Sequence, residues 1–390
     1  MKYLLVCHSP FENSTFAKIS KNVIENLIDD SDNEIYCLAH SHTHSICKKY
    51  KNTLICPIFD FENQLEETLI DFKPDVLITI GDISECILPH YHKKTIHYTG
   101  WKWISILDIG TVPPAPGLID FILNTDHIIT YSLGIYKFLE NNPNIDVHYA
   151  RLGVENNLFY KLPNNKEIKK SFKSKEIFTI LSPGSNNRYN QKSSLIEAFA
   201  KFSENKNNVF LYLCDRNNSK YYDLKDISWK YPCLLDKLMF TDDGCVDNHV
   251  LNNLYNSVNF TIDLSVNSNF NLSALEALSC GGKVIIPENP INNYFQYPDS
   301  NNIRLCKSHK FVNQIGGEEW HVDIDSLIKT LEEEYFWFIN EKEDYEQKSL
   351  NITNEKENDK FSWENFNSTL KVIIKNILNK KNKETFFIKV

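Results

Sequence analysis

The chain has 390 residues, 42% hydrophobic and 24% charged, with a formal net charge of -9. That length exceeds what one ordinary core serves and predicts two domains of roughly 150 to 200 residues. The acidic balance argues against an extended basic track for nucleic acid.

The start, "MKYLLVCHSP", holds too short an apolar run for a signal-peptide core. No later run approaches the ~18 residues needed to span a bilayer, so the expectation is a cytoplasmic protein with no transmembrane segment. Ten cysteines are scattered without a CxxC pair, which predicts reduced thiols rather than a disulfide frame or zinc site. "KYLLVC" reads as a buried strand, followed by the loop "HSPFENST" and an amphipathic helix capped by Ser14 or Thr15. Strand-like runs "NEIYCLA", "TLICPI", "DVLITIG", "KTIHYTG" and "HIITYS" follow, with helical patterns such as "FENQLEETLIDF" between some of them. This alternation predicts a parallel sheet with helices on both faces.

Near Gly153 the chain turns polar and loses its period, which marks an interdomain link. A second alternating series then runs through "IFTILSPG", "SSLIEAFAKFSE", "NVFLYLCD", "DNHVLNNLYNSV", "NFTIDLSV", "LSALEALSCGG" and "KVIIP". After Gly317 the pattern is mostly one long helix, then the charged "NITNEKENDK", then a last helix from "FSWENF" onward. The boundaries so read are 1–155, 156–360 and 361–390.

Four segments, in order, carry a family resemblance: "LGVENNLF", "SPGSNNRYNQKSSLIEAFAKF", "LYNSVNFTIDLSVNSNFNLSALEALSCGGKVII" and "FSWENF". Over about residues 150 to 380 the chain resembles GT-B glycosyltransferases, closest to retaining family 4 (glycosyl transferases group 1). The resemblance implies an α/β fold of two doubly wound Rossmann-like domains, with a C-terminal helix crossing back to the first. It also implies a retaining, hexosyltransferase-type enzyme that moves a sugar from a nucleotide-sugar donor to a glycan, lipid-linked or protein hydroxyl. No metal and no cofactor are expected.

By the same resemblance, Glu276 matches the carboxylate that binds the donor ribose. Leu272, Ser273 and Ala274 open its helix and offer N–H groups and a positive dipole end to the diphosphate. Taken alone, Glu276 reads more readily as a plain helix-surface carboxylate; the flanking pattern reverses that preference in favour of ribose. Ser268 stands where the family has the first glutamate of a pair, facing the transferred sugar, and Asn269 and Asn271 stand at usual glycine positions. That exchange keeps a second reading open, a catalytically inactive GT-B-fold protein that binds a nucleotide or glycan.

Arg188 and Lys192 resemble the family's basic pair on the diphosphate, with Lys192 expected to be exposed, although counting back from "LIEAF" puts the lysine position on Asn190. His97 in "TIHYTG" matches a histidine that contacts the reacting sugar. Asn13, Ser14 and Thr15 are phosphate-loop candidates at a helix start, or simple caps. His40, His42 and His44 share one face of an extended segment, but no carboxylate or cysteine at ligand spacing accompanies them.

Overall fold

The computed structural model describes residues 1–12, 14–29, 32–40, 46–86, 100–162, 177–184, 186, 189–214, 223–241, 246–266, 271–289, 292, 302–314, 316–340 and 361–379. Asn13, His42, His44, His97, Arg188, Ser268 and Asn269 lie outside them.

The first half builds an eight-stranded sheet. In chain order its elements are β1 (Lys2–His8), α1 (Thr15–Ile28), β2 (Glu34–His40), β3 (Lys48–Tyr50), β4 (Thr53–Pro57), α2 (Phe61–Phe72) and β5 (Val76–Asp82). There follow α3 (Ile83–Cys86), β6 (Lys102–Asp108), α4 (Pro116–Asn124), β7 (His127–Thr130), α5 (Leu133–Leu139) and β8 (Val147–Tyr149). The spatial order is β3-β4-β2-β1-β5-β6-β7-β8. Successive residues of β1 serve opposite faces, as the period of two requires: Tyr3, Leu5 and Cys7 enter one core and Leu4 and Val6 the other. Both faces are covered, which is why the strand reads as an unbroken apolar run rather than an alternating one.

The second half adds β9 (Phe178–Ser182), α6 (Lys192–Ser203), β10 (Val209–Leu213), α7 (Leu224–Ser228), β11 (Leu238–Phe240), α8 (Asn248–Ser257) and β12 (Phe260–Ile262). It continues with α9 (Leu272–Ser279), β13 (Val284–Pro287), β14 (Ile303–Cys306), the hairpin strands β15 (Ser308–Val312) and β16 (Glu318–Val322), and α10 (Ile324–Asn340). Its six-stranded sheet has the order β11-β10-β9-β12-β13-β14, so the winding reverses between β9 and β12. The first sheet reverses in the same way between β1 and β5. In doubly wound sheets, ligands bind outside the carboxyl ends of the strands at such reversals.

The last helix, α11 (Trp363–Asn379), returns to the first sheet. Trp363, Phe366, Leu370, Ile374 and Ile377 are buried in the same core as Ile19, Val23 and Leu27 of α1. Amide side chains lock the two helices together, with Asn26 donating to Asn367 at 3.1 Å and Asn367 donating to Asn22 at 2.8 Å. Lys102 donates to the carbonyls of Ile377 and Leu378 at 3.1 and 3.4 Å, placing a cation at the negative end of the helix.

Chain crosses between the two sheets at two places that touch. Leu152 belongs to the first core and Val154 to the second, while Phe361 belongs to the second and Trp363 to the first. The Val154 N–H donates to the Phe361 carbonyl at 2.6 Å. A Cβ on Gly153 would lie 2.2 Å from the Ser362 carbonyl carbon, so only glycine permits this approach.

Three expectations need correction. "EEWHV" begins the segment read as helix but forms β16, paired antiparallel with β15. "KWISILD", not read as a strand, is β6, paired along its whole length with β5 and through Ile104, Ser105 and Ile106 with β7. Cys47 and Cys56 form a disulfide rather than free thiols, because antiparallel pairing of β3 with β4 sets them opposite each other with Cα atoms 4.2 Å apart. The other described cysteines are free.

Candidate active site

The second sheet presents α9 at its carboxyl end. Asn271 stands at the N-cap position, yet its side chain does not cap the helix; its Nδ2 donates instead to Asn292 Oδ1 at 3.2 Å. Its Oδ1 is buried and has no partner among the described residues. The Leu272, Ser273 and Ala274 N–H groups therefore open a helix whose positive end is not closed by its own cap. Glu276, one turn further along, is buried.

Two side chains hold the Glu276 carboxylate. Lys18 of α1 donates to Oε1 at 3.0 Å, and the Tyr255 hydroxyl of α8 donates to Oε2 at 3.1 Å. Lys18 also lies over the Phe159 ring, 5.5 Å from its centroid. Burial raises the Glu276 pKa, and the Lys18 charge and the two hydrogen bonds pull against it. The Lys18 contact joins the two halves of the chain at the residue matched to ribose binding. Neither partner stands out in the sequence, although Lys18 lies four residues after the cap Ser14 and hence on the same helix face. Ser14 Oγ accepts from Ala17 N at 3.1 Å, which is the capping alternative read for "NST"; Thr15 is the first helical residue.

Lys192 is fully buried at the first position of α6, which corrects the expectation of an exposed cation. Its ammonium donates to the carbonyls of Ser182 at 3.4 Å, Gly184 at 2.5 Å and Cys214 at 2.7 Å. It thus gathers the carboxyl ends of β9 and β10, beside the winding reversal. The neighbouring Asp263 is raised in pKa by burial, and the Lys192 charge works against that rise. Asn190 Oδ1 accepts from the Ser265 hydroxyl at 3.0 Å on the same rim.

The first sheet carries a polar cluster that the sequence reading misses. At its winding reversal, His8 Nε2 lies 2.9 Å from Glu85 Oε1. Glu85 Oε2 accepts from the Asp82 N–H, while Asp82 Oδ1 accepts from the Glu85 N–H, both at 3.1 Å. A Cβ on Gly81 would meet Glu85 Oε2 at 2.3 Å, so glycine there lets the carboxylate fold back. Burial raises the Glu85 pKa, but its bond to His8, the His8 and His40 charges and the Asp82 N–H outweigh burial and hold it below the ordinary value. His40 is lowered, chiefly by burial. His8 Nδ1 is buried without a partner among the described residues.

Beside this pair, Asp108 accepts from Gly110 N at 2.8 Å and from the Tyr131 hydroxyl at 3.1 Å. Burial, with Asp82 and Glu85 adding to it, pushes Asp108 up to about 7 from 3.8, against those two hydrogen bonds. The folded chain then holds a proton that the unfolded chain releases, so stability falls as pH rises between about 4 and 7. The full shift corresponds to roughly 4 kcal/mol, and since Asp108 keeps some solvent contact we expect about 1 to 3 kcal/mol. Asp108→Asn keeps the shape and should remove this slope, leaving the variant more stable than wild type at pH 8 and equal near pH 4. Urea unfolding at the two pH values checks this; parallel pH profiles would contradict it.

The described residues hold no helix long and apolar enough to cross a membrane. No protein-family model and no curated protein matches the sequence. Solved structures do match in shape, and they define the class: the chain has the GT-B fold. Sucrose-phosphate synthase from Thermosynechococcus elongatus superposes with a TM-score of 0.74 at 12% identity, over 97% of this chain and 99% of that one. HepE from Anabaena, in complex with UDP and glucose, gives 0.69 at 12% identity, over 96% and 100%. A trehalose-6-phosphate structure from E. coli bound with UDP-2-fluoro glucose gives 0.66 at 11% identity, over 98% and 100%.

Proposed function

We propose that the chain transfers a sugar, with retention, from a nucleotide-sugar donor to a hydroxyl acceptor, in the manner of retaining family 4. The observation that carries this reading is the buried carboxylate of Glu276, one turn inside a helix whose N-terminus has no side-chain cap, and held by Lys18 from the other half of the chain. Structures of the same fold hold UDP with glucose, or a UDP-glucose analogue, which supports a nucleotide diphosphate sugar as donor.

In this proposal residues 156–360 bind the donor and residues 1–155 the acceptor. The diphosphate would rest on the N–H groups of Leu272, Ser273 and Ala274, with Arg188 as its counter-charge and no metal needed. A carboxylate has about four lone-pair sites, and Lys18 and Tyr255 use two, so Glu276 retains capacity for two ribose hydroxyls. Asn271 Oδ1, which has no partner among the described residues, would accept from a donor hydroxyl. Lys192 is given a supporting role, holding the strand ends beneath the site. His8, Glu85 and the Asp108–Tyr131 pair would face the acceptor, together with His97. The departing phosphate would serve as base for the attacking hydroxyl, so no protein nucleophile is required.

Ser268 in place of the first glutamate favours the second reading, a non-catalytic nucleotide or glycan binder. Nucleotide protection measured by heat or proteolysis tests the site common to both readings. Glu276→Ala should weaken nucleoside diphosphate binding by about two to four decades, since two hydrogen bonds to a charged group are worth about 1.5 to 3 kcal/mol each. Equal protection of wild type and variant would remove Glu276 from the site. Turnover across a panel of nucleotide sugars then separates enzyme from binder.

A further inference from the structure

We propose that His127, Asp146 and His148 form a binding site for a divalent transition metal of the zinc type, on the edge of the first sheet. His127 Nδ1 lies 2.8 Å from Asp146 Oδ2, and His148 Nε2 lies 3.3 Å from Asp146 Oδ1. One ligand atom from each residue falls within 4.8 Å of the others. Tetrahedral zinc with bonds of about 2.0 to 2.1 Å sets its ligands about 3.3 Å apart, so small side-chain rotations bring this set into coordination distance.

The backbone fixes the set. β7 and β8 pair in parallel, with Ile128 opposite Val147 and Ile129 opposite His148. Asp146 and His148 are two residues apart on an extended segment, and His127 is likewise two residues from Ile129, so all three side chains share one sheet face. That is the face on which Ile129 and α11 pack together. The side chains are 13%, 27% and 20% exposed, open enough for an ion to enter and for water to complete the shell. Two imidazoles and one carboxylate suit zinc and its neighbours rather than calcium or magnesium.

The site is separate from the cleft. His127 begins β7, whereas Tyr131 and the acceptor-side cluster lie beyond its carboxyl end. Its ligands come from both arms of the β7–α5–β8 crossover, so a bound ion ties the edge strand β8 to its neighbour. His148 also lines a cavity of about 570 Å³ with Ser368, Thr369 and Val372 of α11, which places the ion beside the seat of that helix.

The test uses the full chain, stripped with chelator and dialysed, then titrated with Zn²⁺ by calorimetry and with Co²⁺ by visible absorption. One equivalent should bind, raise the thermal midpoint, and give the absorption of low-coordinate Co²⁺. His127→Ala and His148→Ala should each weaken that equivalent by at least about 100-fold, while His309→Ala, at an exposed histidine elsewhere, should retain it. Asp146→Asn, which keeps the shape, should also lose it and covers the case in which a histidine variant fails to fold. Retention of the equivalent in any folded variant of the three ligands overturns the site, as does the absence of a zinc-dependent rise in the wild-type midpoint.

Discussion

A chain ending before Phe361 should fail to give a cooperatively folded protein. The cut removes Trp363, Phe366, Leu370, Ile374 and Ile377, all buried against α1 and the first sheet. At about 1.5 to 3 kcal/mol for each buried side chain, the loss is roughly 8 to 15 kcal/mol, which matches the whole stability of an ordinary domain. The apolar face of α1 would be left in water, and circular dichroism, dye binding and protease sensitivity should all report a loosened first half. The single replacement Leu370→Ala gives a graded version, with a cost of about 2 to 5 kcal/mol. A soluble truncated chain with a sharp unfolding transition would show that α11 contributes little.

The second large effect belongs to Lys192. Had its ammonium been solvated, replacement would leave stability untouched and lower only turnover. Its burial reverses that expectation: Lys192→Met removes the donor from the carbonyls of Ser182, Gly184 and Cys214. The Ser182 carbonyl keeps the Cys214 N–H as a donor at 3.0 Å, so two buried acceptors lose theirs; at about 1 to 3 kcal/mol each, a loss of roughly 2 to 6 kcal/mol is expected. Denaturant unfolding measures it directly. An unchanged midpoint together with abolished turnover would restore the diphosphate role.

Much of the architecture is legible along the chain because it rests on local periodicity. "FENQLEETLIDF" is α2 residue for residue, and the strands "KYLLVC", "DVLITIG" and "KVIIP" are near matches to β1, β5 and β13. The crossing helix is equally clear, since its buried positions recur at helical spacing. "KWISILD" is obscured by lysine, serine and aspartate, which lower the apolar content of a strand whose interior is buried. The candidate site divides along the same line. Glu276 sits inside a motif and can be found by pattern. His8, Glu85, Asp108 and Tyr131 come from separate segments, and only the strand order brings them to one end of the sheet. Lys192 shows the opposite failure: residue type suggests solvent, and only the positions of three distant carbonyls reveal its burial.

The paired crossings at Gly153 and Ser362 bear on how the two halves can move. Two independent tethers would permit twisting, sliding and rocking alike. Here the tethers are fastened to each other by the Val154 bond to Phe361, with no side chain between Gly153 and Ser362. A double pin of this kind should favour rotation about the line through the fastening over sliding of one half along the other. Closure of the cleft would then bring Lys18 back to Glu276 in the same register each time, because the pivot allows the two surfaces to part without letting them slip.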